Sequence, residues 1–171
     1  DPKTFYADYR KEDWKYEVNL PCDIHMPLIE NGEIKEPLVA QNYEDCKWTE
    51  NKSWWFKKDF ELDNEVLKSE ILELTIESID SSADIYFNSF YIGKHQSAFY
   101  PFVFDIKPLA EQGMNTLIVR VTSGAEEVSQ KDIGAAHHCI PLDSAYPGRG
   151  DERRTCIRKP QYVFGWDWAP R

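Results

Sequence analysis

The sequence lacks any long apolar run and is poor in positive charge, and each shortage excludes a class of partner. The longest apolar runs are a few residues and are broken by Lys, Glu or Asp, so they are too short to span a membrane. There are 20 Lys and Arg residues against 30 Asp and Glu residues, which gives a formal net charge of -10 at pH 7. Because this surplus repels a phosphate backbone, we expect no nucleic-acid partner, and we expect no membrane partner.

Cysteine is also scarce and shows no ligand pattern. The four cysteines are scattered, and no C-x-x-C pair exists among Cys22, Cys46, Cys139 and Cys156. The run His137-His138-Cys139 does not complete a zinc site, because adjacent residues of an extended chain point to opposite faces and no second ligand pair is near in sequence. We therefore expect no metal and no cofactor, and the disulfide status of the cysteines stays open.

Length and composition favour one globular domain. The chain has 171 residues, 42% of them hydrophobic and 14% aromatic, which is enough to bury a core. We expect a single domain over residues 1–171. The start, Asp1-Pro2-Lys3, has no signal-peptide pattern, which slightly favours the cytoplasm and leaves the compartment unknown.

Alternation of apolar and polar residues is the main structural signal in the middle of the chain. A period of two is typical of a strand with one buried face. The sequence predicts four such half-buried strands. Their apolar positions are Leu72, Leu74 and Ile76; Ala83, Ile85 and Phe87; Phe102, Phe104 and Ile106; and Leu117, Val119 and Val121.

Turn signals separate these strands, and no long amphipathic helix interrupts them. Asn88-Ser89 predicts a hairpin tip, because Asn tolerates a left-handed backbone. The stretches 27–32 and 108–113 predict short helical turns, each with Pro at its start and Gly past its end. The expected fold class is all-β, an antiparallel sandwich or barrel with one or two short helical turns. Residues at about 124–155 show no sustained alternation and predict a long loop.

The last segment carries aromatic residues at alternate positions. On a strand, Tyr162, Phe164, Trp166 and Trp168 share one face. We expect Tyr162 and Phe164 in the core, because large aromatics dominate cores. Trp166-Asp167-Trp168 offers flat apolar platforms and a charged acceptor, which suit a sugar ring and its hydroxyls. The alternative is a buried pair of Trp residues that uses a nearby acceptor, and both interpretations stay open.

One family resemblance covers about 14–171. In glycoside hydrolase family 2, the N-terminal domain of β-mannosidases ends in Arg-Lys-x-Gln-x-x-x-Gly-Trp-Asp-Trp-Gly-Pro, which resembles Arg154-Thr-Cys-Ile-Arg-Lys-Pro-Gln-Tyr-Val-Phe-Gly-Trp-Asp-Trp-Ala-Pro-Arg171. Further similar motifs follow the family's order: Leu20-Pro21-Cys22-Asp23-Ile24-His25, Trp54-Trp55-Phe56-Lys57-Lys58-Asp59-Phe60, 79–88, Gly93-Lys94-His95, 99–102 and Gly113-Met114-Asn115-Thr116-Leu117.

A few positions depart from the family pattern. Cys22, Ser89 and Ala169 stand where the family has Gly. Residues 36–42, Glu-Pro-Leu-Val-Ala-Gln-Asn, stand for a motif that normally reads Asp-Pro-Tyr-x-x-x-Asn-Glu. These departures leave the domain assignment unchanged and the identity of the sugar open.

The resemblance implies a fold, an activity and a binding role. It implies a jelly-roll, galactose-binding-domain-like sandwich from a retaining β-mannosidase that hydrolyses terminal β-mannosides, with both catalytic carboxylates in a downstream (β/α)₈ barrel. We expect no catalytic residue in this chain and interpret Asn64-Glu65 as a surface turn. By the same resemblance, Asp167 accepts hydrogen bonds from sugar hydroxyls, and Trp166 and Trp168 wall the pocket.

The implied partners are a terminal β-mannoside and the downstream domains of the same chain. A stand-alone carbohydrate-binding module stays open as an alternative, as does the same domain of a β-galactosidase or β-glucuronidase. In the family another strand follows the Trp-Asp-Trp loop, whereas this sequence stops at Arg171. We therefore expect an exposed sheet edge or a disordered tail, and pairing between copies through that edge stays open.

Overall fold

The computed structural model describes residues 14–137 and 152–164, which fall into two compact units. Unit 1 comprises residues 53–124, and unit 2 comprises residues 14–52 with 125–137 and 152–164. All six strands of the described residues lie in unit 1, and most of the helices lie in unit 2. The prediction of one domain over residues 1–171 stays a prediction.

The elements are short apart from two of the strands. The strands are β1 (Trp54–Leu62), β2 (Glu73–Ile76), β3 (Ser82–Phe87), β4 (Phe90–Gln96), β5 (Phe102–Asp105) and β6 (Gly113–Thr122). The α-helices are α1 (His25–Glu30), α2 (Asn42–Cys46), α3 (Asn64–Leu67) and α4 (Gln130–His137). Short 3₁₀ helices cover Lys47–Asn51, Lys107–Leu109, Ala125–Glu127, Glu152–Cys156 and Gln161–Phe164.

Unit 1 is an antiparallel sandwich of two sheets. One sheet has the order β1-β6-β3-β4, and the other pairs β2 with β5. The four strands predicted from alternation are confirmed as β2, β3, β5 and β6, and the all-β class is confirmed with them. Apolar side chains from both sheets form one core, made of Ile79, Ala83, Ile85, Phe87, Ile92, Phe102 and Ile106.

Strand β1 was not predicted from alternation. Its half-buried aromatics, Trp54, Trp55 and Phe56, are consecutive, and an exposed charged run follows them. The strand is instead defined by pairing with β6 along all nine residues, from Trp54 opposite Val121 to Leu62 opposite Gly113. Tertiary pairing of this kind leaves no periodic signal in the sequence.

Strand β3 corrects the prediction of one buried face, because all six of its residues are buried. On the face away from the core, the Tyr86 ring lies 6.2 Å from that of Trp55 and 5.4 Å from that of Tyr91. On the same face, Asp84 forms an ion pair with Arg120 at 2.8 Å. Burial, with the nearby charge of Asp84, raises the pKa of Tyr86 to about 12.

The predicted hairpin at Asn88-Ser89 is confirmed, and its tip is left-handed. The φ angles are 43° at Asn88 and 80° at Ser89, values that L residues with bulky side chains avoid. The Asn88 side chain accepts a hydrogen bond from the Thr116 backbone N–H at 2.9 Å, and the Asn88 backbone N–H donates to the Thr116 carbonyl at 3.0 Å. The tip is therefore bonded to β6.

Asn115 completes this polar network from the start of β6. Its side chain is 0% exposed, and its Nδ2 donates to the carbonyls of Glu111 at 2.8 Å and Gly113 at 2.9 Å. Its Oδ1 accepts from Asn88 Nδ2 at 2.7 Å and from the Glu111 N–H at 3.0 Å. Asn88 Nδ2 also donates to the Leu109 carbonyl at 3.0 Å. Two amide side chains thus join the hairpin to the loop before β6 without leaving a buried amide unsatisfied.

Gly93 allows β4 to come close to the second sheet. Its φ is +154°, and a Cβ at this position would lie 3.0 Å from Cε2 of Phe102 on β5. The register of the β3–β4 ladder also shifts next to it, between Ile85 and Tyr86. A residue without a side chain is needed where the two sheets approach each other.

The two predicted helical turns are confirmed. The first is α1, which ends before Gly32 at φ 70°, and the second is the 3₁₀ helix Lys107–Leu109. The longest helix of the described residues, α4, has 8 residues and lies in the stretch predicted as a long loop. Within the described ranges, no helix combines the length and apolar character needed to cross a bilayer.

Candidate functional site

The predicted sugar-binding residues Trp166, Asp167 and Trp168 lie outside the described residues. The segment leading to them is described up to residue 164, and it corrects two predictions. It is a 3₁₀ helix instead of a strand, with the Val163 N–H donating to the Pro160 carbonyl at 3.1 Å. Tyr162 is 63% exposed, so its predicted place in the core is wrong.

The alternation of aromatic residues was misleading because the backbone at 161–164 has the period of a 3₁₀ helix and not that of a strand. Pro160 fixes its own φ and lacks an N–H, so it favours the start of a turn over a central strand. A 3₁₀ helix has three residues per turn, so residues at alternate positions no longer share a face. The alternation of aromatics in the sequence therefore does not define one surface here. The side chain of Phe164, which was also predicted in the core, lies outside the described atoms.

The base of this segment is anchored by one buried residue and several backbone hydrogen bonds. Ile157 is buried, and its N–H donates to the Arg154 carbonyl at 3.2 Å. The next turn follows at once, with the Lys159 N–H donating to the Ile157 carbonyl at 3.0 Å. Arg153 Nη1 donates to the carbonyl of Ala125 at 3.4 Å. These contacts fix the start of the chain segment that carries the predicted site.

Helix α4 packs against the 3₁₀ helix Glu152–Cys156 and is closed at its N-terminus by a reciprocal cap. The Asp132 carboxylate accepts from Ser129 Oγ at 2.6 Å and from its N–H at 3.0 Å, and the Asp132 N–H donates back to Ser129 Oγ at 3.2 Å. These hydrogen bonds lower the pKa of Asp132. The cap satisfies donors that the first turn leaves unpaired, while Ile133 supplies the buried side chain of the helix.

A second polar cluster in unit 2 involves the motif that ends in Asp23-Ile24-His25. Asp23 Oδ1 accepts from the N–H groups of His25 at 2.7 Å and Met26 at 3.2 Å, and so caps α1. The His25 ring lies between two oxygens, with Nδ1 3.4 Å from Asp23 Oδ1 and Nε2 3.4 Å from Thr49 Oγ1. These contacts resemble a catalytic triad, in which Asp23 would orient His25 and His25 would act as the base for a Thr49 nucleophile.

The hydrogen bonds of Thr49 argue against that chemistry. Its hydroxyl is buried and donates to the Cys46 carbonyl at 2.9 Å, so its single proton is already used. Burial also raises the thiol pKa of Cys46 and of Cys22, which makes both weak nucleophiles at neutral pH. We interpret the cluster as a clamp between α1 and Lys47–Asn51. No sequence signal marked Thr49 as part of it.

Hydrogen bonds from neighbouring side chains lower the pKa of four described carboxyl groups. A glycosidase acid needs a raised pKa, whereas the pKa values of Glu33, Glu44, Asp59 and Asp132 are all lowered. The Glu65 side chain, on the short helix α3, is 78% exposed and pairs with Lys68 at 2.6 Å, so Asn64-Glu65 lies at the surface as expected but is helical. Residues 14–137 and 152–164 also contain no group of three His, Cys, Asp or Glu side chains suited to a metal ion.

Sequence comparison relates this chain to carbohydrate-active enzymes. The profile of the family described as glycosyl hydrolase 2 galactose-binding domain-like matches residues 4–171. A β-mannosidase of Capra hircus is 30% identical over 152 residues, which are 88% of this chain and 17% of that protein. A probable β-mannosidase of Caenorhabditis elegans is 29% identical over 158 residues, again 88% of this chain and 17% of its own length.

Structural comparison also relates this chain to a β-mannosidase. The β-D-mannosidase of Dictyoglomus thermophilum superimposes with a TM-score of 0.75 and 32% identity, over 94% of this chain and 19% of that chain. The exo-chitosanase CsxA of Amycolatopsis orientalis superimposes with a TM-score of 0.55 and 20% identity, over 63% of this chain and 13% of its own. This second likeness shows the fold alone. The chain thus spans less than a fifth of the length of these relatives.

Proposed function

Because this chain belongs to the glycosyl hydrolase 2 galactose-binding domain-like family, we propose that it is the non-catalytic domain of an enzyme that hydrolyses terminal β-mannosides. The observation that carries the proposal is the similarity to two β-mannosidases at 30% and 32% identity, over 88% and 94% of this chain. The catalytic part of such an enzyme lies in the larger share of the relatives' length that this chain does not match.

The division of labour follows from the chemistry of retaining glycosidases. Such enzymes need two carboxyl groups about 5–5.5 Å apart, one of them held protonated until it donates to the leaving group. The lowered pKa values of Glu33, Glu44, Asp59 and Asp132 make these four carboxyl groups poor proton donors. The bond-making carboxylates then belong to the other part of the enzyme.

The role assigned to this chain is to position the sugar at the non-reducing end. Asp167 accepts hydrogen bonds from ring hydroxyls, and Trp166 and Trp168 cover the apolar face of the ring. Fixing the sugar relative to the catalytic carboxylates lowers the barrier even though no bond is made here. The 3₁₀ helices at 152–156 and 161–164 support this role by anchoring the start of the segment.

Kinetics of the complete enzyme test the proposal. With p-nitrophenyl β-mannoside as substrate, Asp167→Ala should lower kcat/KM about 100-fold, the effect of losing a charged hydrogen-bond acceptor. The matched control is Asp63→Ala, which removes a carboxylate that caps α3 in unit 1 by accepting from the Val66 N–H at 2.9 Å. It should leave kcat/KM of the folded fraction unchanged. A preference for β-galactoside or β-glucuronide would reject the mannoside assignment, and turnover by residues 1–171 alone would reject the non-catalytic role.

Binding to the isolated chain separates this role from that of an autonomous module. Calorimetric titration with mannose, mannobiose and galactose should give no measurable affinity, because the catalytic part contributes the rest of the pocket. Clear binding that disappears in Asp167→Ala would instead identify a stand-alone carbohydrate-binding module.

Self-association through an open sheet edge is the second element of the proposal. It rests on the two-stranded sheet, whose strands have one strand neighbour each within residues 14–137 and 152–164. Unpaired backbone groups at such an edge are available to another strand.

A further inference from the structure

A single buried side chain lies in the middle of the segment that leads to the predicted sugar-binding residues. Among the described side chains of residues 152–164, only that of Ile157 is buried, at 8% exposure. The 3₁₀ helices Glu152–Cys156 and Gln161–Phe164 flank it in the sequence and contact each other. The chain therefore folds back on itself around Ile157.

The backbone of Ile157 takes part in two successive turns. Its N–H donates to the Arg154 carbonyl at 3.2 Å, and its carbonyl accepts from the Lys159 N–H at 3.0 Å. The next turn begins at once, because the Pro160 carbonyl accepts from the Val163 N–H at 3.1 Å, and the proline ring fixes the φ angle at its start. Three hydrogen-bonded turns thus determine the path of the chain up to Val163, and Ile157 belongs to two of them.

Helix α4 packs on the first of these turns. It contacts Glu152–Cys156 and contributes the buried side chain of Ile133, which is 5% exposed. Farther along the chain the side chains are more exposed, and that of Tyr162 is 63% exposed. Ile157 is therefore the last buried side chain that the described residues provide before Asp167.

We propose that Ile157 is a positioning residue, whose burial determines where the chain enters Trp166, Asp167 and Trp168. This inference rests on the proposed function, because that function assigns the sugar contact to Asp167. A buried isoleucine that is truncated leaves a cavity, and the surrounding chain moves to fill it only in part. Because a displacement of about 1 Å at a substrate-binding group can lower a rate about 100-fold, the loss of this anchor should act on turnover through Asp167.

Truncation of Ile157 in the complete enzyme is the first part of the test. With p-nitrophenyl β-mannoside as substrate, Ile157→Ala should lower kcat/KM of the folded enzyme about tenfold. The matched control is Ile34→Ala, which makes the same truncation at another side chain of unit 2 that is 8% exposed. That control should change kcat/KM less than about twofold. Ile157→Val removes one methyl group and should retain at least about half of the wild-type value.

A double-mutant cycle with Asp167 separates positioning from a general loss of structure. In an Asp167→Ala background, Ile157→Ala should cost less than about threefold in kcat/KM, because the group that Ile157 positions is absent. A loss of structure elsewhere would instead cost the same factor of about ten in both backgrounds. Circular dichroism verifies that each variant is folded. Where Ile157→Ala does not fold, Ile157→Met keeps the side-chain volume, alters its shape and takes its place in the cycle.

Three outcomes would overturn the positioning role. They are an unchanged kcat/KM in the Ile157 variant, an equal loss in Ile34→Ala, and equal losses from the Ile157 variant in the two backgrounds. If Asp167→Ala alone still lowers kcat/KM, each of these outcomes leaves the proposed sugar contact in place. If Asp167→Ala alone has no effect, the sugar contact is rejected and the positioning role with it. The two failures are therefore distinguishable.

Discussion

In unit 1, long antiparallel ladders surround a cluster of seven buried apolar residues, whereas unit 2 consists of short helices closed by individual side chains. In unit 1, many paired strand residues contribute to stability, and even the polar residues of β3 are buried. In unit 2, the stability of the short helices depends on single contacts, such as the Asp132 cap of α4 and the Asp23 cap of α1. The predicted binding residues follow directly after a segment of unit 2.

This difference suggests a division between a stable scaffold and an adjustable support. Regions with few buried apolar residues open locally at lower free energy than regions with a continuous core. Ligand-binding segments are usually drawn from such regions. We therefore expect unit 1 to carry most of the free energy of unfolding and unit 2 to determine the placement of the site segment.

The largest effect should come from removing core volume in unit 1. Ile85 is 0% exposed inside the apolar cluster, so Ile85→Ala should lower the free energy of unfolding by about 4 kcal/mol. Ile133→Ala on α4 is the matched change in unit 2 and should cost about 2 kcal/mol, since a short helix can move to fill the space. Urea unfolding gives both values, and hydrogen exchange locates each effect. A larger loss for Ile133→Ala would reverse the comparison.

The next effect concerns the buried amide network of unit 1. Asn115→Ala removes a 0% exposed side chain and takes away the hydrogen bonds that Asn115 makes with one Asn88 Nδ2 hydrogen and with the N–H and carbonyl of Glu111, so it should cost about 3 kcal/mol. The control in unit 2 is Asn42→Ala, whose side chain donates one exposed hydrogen bond to the Glu36 carbonyl at 2.9 Å. That variant should lose less than about 1 kcal/mol. Similar losses in both variants would contradict the distinction.

A stabilising substitution is expected at the hairpin tip. Ser89 has a φ of 80°, a conformation that costs an L residue about 1–2 kcal/mol and glycine almost nothing. Ser89→Gly should therefore raise the free energy of unfolding by about 1 kcal/mol, which corresponds to a rise of about 3 °C in Tm. Ser89→Ala keeps the strain and should leave Tm unchanged. No gain in Ser89→Gly would show that the tip is not strained.

The smallest effect is expected at Asp59, on the outer face of β1, and it depends on pH. Burial opposes ionisation of Asp59, but hydrogen bonds from Lys57 at 2.7 Å and Thr116 at 2.7 Å outweigh it and lower its pKa. A lowered pKa stabilises the fold above the unfolded value, near 3.8, and the contribution disappears as the pH falls through the folded value.

Asp59→Asn should therefore reduce stability at pH 7 by less than about 1 kcal/mol, because the side chain is partly exposed and solvent-screened. The difference from wild type should shrink as the pH falls below 3.8 and vanish once Asp59 is protonated in the folded state, as measured by urea unfolding at a series of pH values. A difference that persists at low pH would assign it to packing instead of charge.

The sequence predicted β2, β3, β5 and β6 because apolar side chains recur at alternate positions along them and their turns contain Asn or Gly. It missed β1, whose aromatics are consecutive, and it assigned one buried face to β3, since nothing local reveals that Trp55 and Tyr91 cover Tyr86. In unit 2, alternation was misleading: the aromatics near Tyr162 were placed on a strand, whereas Pro160 starts a 3₁₀ turn. The family was recognised from motifs, and the roles of Trp166, Asp167 and Trp168 stay predictions.

Gly93 determines how far the sequence of this domain can diverge. Any side chain at this position requires either a displaced Phe102 or a different path for β4, and both changes affect the same core. Natural variants and combinatorial libraries should consequently retain glycine here while accepting many residues at exposed positions of β1. A smaller residue at position 102 would remove the close contact but not the backbone strain, because L side chains rarely adopt a φ of +154°. Glycine should therefore be retained at position 93 even where Phe102 varies.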